Sequence, residues 1–99
     1  MQVTLILWRD IPSQIAVGRG RKQAKVMLDQ RFQEAIDRAA MRSKAHDSDA
    51  YLEGWRKEPV GEYAGELQVI ADAKAAEIEA RINNEELEKL VIANGWRDG

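Results

Sequence analysis

The 99-residue sequence predicts an α+β domain, with a two- or three-stranded antiparallel sheet at the N-terminus followed by three or four helices. Three observations carry this expectation. The apolar run Val3–Trp8 precedes turn residues and a second short run with Ile15 and Val17, the pattern of paired strands. Phe32, Ala35, Ile36, Ala39 and Ala40 stand three and four apart, which is one stripe of an α-helix. Three further helical segments fill the rest of the chain.

Along Val3–Trp8 apolar groups occupy both parities, with Val3, Leu5 and Leu7 on one and Ile6 and Trp8 on the other. That is the pattern of a central strand covered on both faces. Arg9-Asp10-Ile11-Pro12-Ser13 supplies turn chemistry, and Gln14–Val17 is the return strand, across a loop longer than the tight two-residue kind. Residues 21–28 read two ways. Ala24, Val26 and Leu28 alternate as a third strand would, while Ala24, Met27, Leu28 and Phe32 would extend the next helix backwards. The strand is favoured, because Val26 is β-branched and Asp29 is a good N-cap.

The first helix then runs from about Gln30 to Ser43. A short helix with Tyr51, Leu52 and Trp55 follows and is stopped by Pro59. A long one runs from about Glu62 to Arg81. The last spans about Glu85 to Ala93, with Asn83 as cap, Glu86 three residues on, and Gly95 as its C-terminal stop.

Composition narrows the function classes. With 44% apolar and 32% charged residues the chain is of globular type. It has no cysteine, which excludes disulfides and thiolate chemistry within the chain. The N-terminal apolar run is too short for a signal peptide or a membrane span. Net charge is −2 but unevenly spread. Residues 1–45 hold nine Lys or Arg against four Asp or Glu, a balance of +5; residues 46–99 hold six against thirteen, a balance of −7. Such halves attract each other within the fold or across a homodimer, or the basic half binds a polyanion.

No catalytic, metal or cofactor motif emerges. His46-Asp47-Ser48-Asp49 has ligand-type groups but no established ligand spacing, and reads as a helix cap. Gly18-Arg19-Gly20-Arg21-Lys22 lacks the length of a phosphate loop and reads as a solvated turn. Glu62 and Glu66 read as a solvated face. Arg19, Arg21, Lys22, Lys25, Arg31, Arg38 and Arg42 form a basic series that can track a nucleic-acid backbone. Within it, Lys25 to Asp37 resembles the strand-to-helix junction of ribbon–helix–helix repressors, which makes DNA binding the alternative function.

Leu7-Trp8-Arg9-Asp10-Ile11-Pro12, Gly18-Arg19-Gly20-Arg21-Lys22 and Arg31-Phe32-Gln33-Glu34-Ala35-Ile36-Asp37-Arg38-Ala39-Ala40-Met41 resemble the small bacterial family called the virulence factor domain. The similarity runs to about residue 81. It implies an accessory domain of the bacterial cytoplasm without assigned catalytic residues. It also implies partners among enzymes or scaffolds of one-carbon or cofactor metabolism. The resulting expectation is a domain over residues 1–82 with a C-terminal helical extension, 83–99, packed on it. It is expected to be non-enzymatic, to need no cofactor or metal, and to bind another protein. The contact residues expected are Trp8, Trp55, Arg19, Arg21, Lys22 and Lys25, facing an acidic partner surface.

Overall fold

The computed structural model describes residues 1–45 and 48–97. Its elements are β1 (Gln2–Trp8), β2 (Ile11–Arg19), β3 (Lys22–Met27), α1 (Gln30–Arg42), α2 (Asp49–Gly54), β4 (Trp55–Glu62), α3 (Leu67–Arg81) and α4 (Asn84–Ile92). The strands form one antiparallel sheet in the order β3-β2-β1-β4. The α+β class stands, with one strand more than the sequence predicts.

The first hairpin is tighter than expected. Trp8 pairs with Ile11, so only Arg9 and Asp10 form the turn, and Arg9 takes a positive φ of 54°. A non-glycine residue reaches that region only when its surroundings hold it there. The Arg9 N–H donates to the Gly54 carbonyl at 2.7 Å, and the Asp10 N–H donates to that of Gly95 at 2.8 Å. The turn is thus clamped from two distant parts of the chain. The strand reading of residues 21–28 holds for Lys22–Met27, which pair with β2 from Gln14 to Arg19.

The largest departure is β4. Pro59 does not simply stop a short helix; α2 already ends at Gly54, and Trp55 opens a strand paired with β1 from Trp8 back to Gln2. Pro59 is tolerated because β4 is an edge strand, and a register shift opposite Val3 and Thr4 falls beside it. Gly61, at φ 137°, lies at that register shift and still pairs with Val3, while Gly65, at φ 135°, lies between the end of β4 and α3. The long helix therefore starts at Leu67 and not near Glu62.

α3 lies across β2 and β3, while α1 packs on β2 and on α4. Ala71 and Ala75 on α3 are buried, and their small side chains allow close approach to the sheet. Ile11, Ile15, Val17 and Phe32 are fully buried, each contributing on the order of 1.5–3 kcal/mol. Asn83 caps α4 as predicted, its Oδ1 accepting the Glu86 N–H at 2.9 Å. Asp29 occupies the N-cap of α1 but makes no capping bond. Its own N–H donates to Glu79 and its carboxylate pairs with Arg31.

Candidate functional site

Directly opposed residues of antiparallel strands point to the same face. One face carries Val3, Leu5, Ile15, Val17, Ala24 and Val26, all of them in or against the hydrophobic core beneath the helices. The other carries two parallel rows. Met27, Gln14, Ile6 and Lys57 form the first; Lys25, Ala16, Thr4 and Pro59 form the second. Thr4, Ile6, Gln14 and Ala16 in the central strands are half-buried, and the edge-strand members are exposed. Neither Ile6 nor Ala16 packs against the core. The expectation that both faces of β1 are covered is thus corrected in part: Thr4 and Ile6 stay half-buried, while Trp8, of the same parity, is fully buried against Tyr51 of α2. Among the described residues Lys25 and Lys57 take part in no ion pair, and Glu62, opposite Gln2, is the acid at the far corner of the face.

One end of this face is closed by aromatic packing. Trp8 is fully buried, its Nε1 donating to the Tyr51 carbonyl at 2.8 Å. Tyr51 stacks on Trp8 at 5.9 Å and meets Trp55 edge-on at 6.0 Å. Trp8 is therefore covered entirely by its own chain. Trp55 is half-buried. At the opposite end of the sheet, Arg19 pairs with Lys22 across a turn made by Gly20 and Arg21. Ile11 to Arg19 is about 26 Å of strand. The tryptophans and the basic hairpin tip, expected to act together, thus stand at opposite ends of the sheet. Of that basic group only Lys25 belongs to the open face, and Lys57, its counterpart on β4, escaped the sequence reading because β4 did.

The arginines of α1 are engaged inside the molecule. Arg38 makes a two-pronged pair with Glu88 at 2.8 and 2.9 Å. Its hydrogen bonds hold the Glu88 carboxylate below the usual range and raise the guanidinium. Arg31 donates to the Glu79 carbonyl at 2.6 Å and Arg42 to that of Ile92 at 3.1 Å. The basic half and the acidic half thus meet along α1, α3 and α4. The β3 strand pairs within its own chain, unlike the intermolecular ribbon of ribbon–helix–helix repressors.

A second cluster surrounds the Trp8–Pro12 turn. The Arg9 guanidinium lies 4.5 Å from the Trp8 ring centroid and 5.3 Å from that of Trp96, and it donates to the Asn94 carbonyl at 2.7 Å. Asp10 accepts from Arg56 at 2.8 Å and from the Arg97 N–H at 2.7 Å. Trp96 is folded back on Arg9 but stays 46% exposed. A groove of about 390 Å³ opens beside this turn over Leu5, Leu7, Ile78 and Ile82, with Arg56, Arg81 and Arg97 offset by Asp10, Glu58 and Glu86. Its charges are balanced.

Among the described residues no group of three or more His, Asp or Glu is arranged to hold a metal ion. His46 and Asp47 of the candidate capping segment lie outside the described residues; Ser48 is the N-cap of α2. Among those residues no helix is long and apolar enough to cross a membrane.

Fold and surface together define a small α+β domain whose antiparallel sheet has one helix-covered face and one open face. The chain belongs to the family described as Virulence factor, which it matches over residues 6–91. That match takes in the Trp8–Pro12 turn, the open face from Ile6 onward, and α4 through Val91, beyond the residue 82 boundary expected from the resemblance. No curated protein and no solved structure matches the chain.

Proposed function

We propose that this domain is a non-enzymatic accessory module of the bacterial cytoplasm that binds a partner protein through the open face of its sheet. One observation carries the reading. β1 has the sequence of a strand buried on both sides, yet beyond Trp8 the fold leaves Ile6 half-buried beside Ala16 and the exposed Met27. Apolar groups gathered on an uncovered face mark an interaction site. Lys25 and Lys57 at its margins favour an acidic surface. Partners among enzymes or scaffolds of one-carbon or cofactor metabolism are in keeping with the family resemblance.

Affinity capture from the native cytosol tests this. Wild-type chain and the Ala73→Arg variant, altered on the exposed surface of α3, retain the same partner. Ala16→Arg, folded by circular dichroism, loses it. Equal retention by Ala16→Arg rejects the reading, and recovery of nucleic acid alone supports the DNA-binding alternative.

A further inference from the structure

We propose that the open face is a trough for one helix of the partner, a helix whose apolar stripe is bordered on both sides by Asp or Glu. This rests on the interaction reading above and adds the chemistry of what is bound.

Shape comes from the register. The central strands contribute the short side chains of Ala16 and Thr4, with Ile6 alongside, whereas the edge strands contribute Lys25, Met27 and Lys57. Short groups between long ones leave a channel running along β1 and β2. Lys25 on β3 and Lys57 on β4 stand three strand spacings apart across the sheet, roughly 14 Å, and are offset by one row, about 7 Å, along the strands. A helix with its side chains is about 10–12 Å across, so its two flanks fall within reach of the two ammonium groups. β2 spans about 26 Å from Ile11 to Arg19; Ile11 to Ser13 are buried at the closed end, and the part from Gln14 to Arg19, about 17 Å, matches about 11 helical residues.

Charge narrows the occupant. Both lysines are exposed, and the centre between them carries no carboxylate. Apart from Glu62 at the far corner, acids of the chain lie on other surfaces, as with Asp72 and Glu77 on α3 and Glu88 on α4. A partner helix with acids on both borders satisfies both lysines while its apolar stripe covers Ile6, Ala16 and Met27. Single-stranded nucleic acid would offer charge too, but its bases need aromatic platforms to stack on. The trough floor is Thr4, Ile6, Gln14 and Ala16, none of them aromatic.

The test is a titration of the full chain, followed by backbone amide shifts, with three probes. The first is a helical peptide of about 20 residues with a leucine stripe bordered by glutamates. In the second, lysines replace the glutamates, and the third is a single-stranded DNA oligomer of similar length. The expected result is binding of the acidic peptide, with shifts at Thr4, Ile6 and Ala16. Lys25→Glu combined with Lys57→Glu should weaken it at least about tenfold, with circular dichroism unchanged. Equal binding of the lysine peptide, shifts confined to other surfaces, or binding by the oligomer alone would overturn the trough. If the acidic peptide fails while Ala16→Arg still abolishes capture of a partner, the helix assignment falls and the interaction reading stands. If Ala16→Arg also leaves capture unchanged, both fall.

Discussion

A methyl group added to Gly54 would stand 2.5 Å from Nε1 of Trp8. The same glycine's carbonyl accepts the Arg9 N–H, so neither partner can move without disturbing the Trp8–Ile11 hairpin end. Trp8 is walled by Tyr51 and Arg9 as well. Gly54→Ala is therefore expected to cost about 1–3 kcal/mol as overpacking. Urea unfolding checks it: the midpoint falls with the slope unchanged. An unaltered midpoint would mean that the Trp8 ring has room to shift.

Asp10 joins three segments that are far apart in sequence. Its carboxylate takes the Arg56 guanidinium and the Arg97 N–H, and its own N–H holds Gly95. Asp10→Ala leaves both donors without this acceptor and should destabilise by about 1–3 kcal/mol. Asp10→Asn keeps an oxygen for Arg97 and should fall between it and wild type. Equal stability of all three proteins would show that the turn needs no clamp.

Arg38 and Glu88 tie α1 to α4 at the surface. The hydrogen bonds from Arg38 lower the folded-state pKa of Glu88. A depressed carboxylate adds stability above its unfolded-state pKa and loses it as pH falls through the lower folded-state value. Glu88→Gln should therefore reduce Tm slightly near neutrality and converge with wild type in acid. The difference should shrink in salt, because both side chains are exposed. A difference that grows on acidification contradicts the pairing.

Lys25→Glu and Lys57→Glu touch exposed side chains outside the ion pairs of the described residues. Each should leave stability within about 0.5 kcal/mol of wild type, so that any loss of partner binding reports the surface and not the fold. A clear drop in the denaturation midpoint for either would place that lysine in the folded network.

The local patterns in the chain account for much of this architecture. The stripe of Phe32, Ala35, Ile36, Ala39 and Ala40 is the buried stripe of α1, and Asn83 with Glu86 caps α4 as read. β4 escaped because its residues are all exposed after Trp55. An edge strand without a buried side has no alternation to read, and Pro59 argues against a strand. Without β4, Lys57 had no place on the open face. Lys25 could be named from charge alone, but its separation from Trp55 depends on strand register, which local pattern does not set. The two-residue turn was hidden for the same reason: Arg9 at positive φ is held by Gly54 and Gly95.

The proposed partner contact lies on the uncovered sheet face, around Ala16. Photo-cross-linking from a benzoylphenylalanine placed at Ala16, with a second at Ala73 as control, tests it most directly in cells of the native host. One protein adduct is expected from Ala16, with the linked peptide in an acidic helical segment, and no such adduct from Ala73. The same adducts from both positions, or none from Ala16, would contradict it.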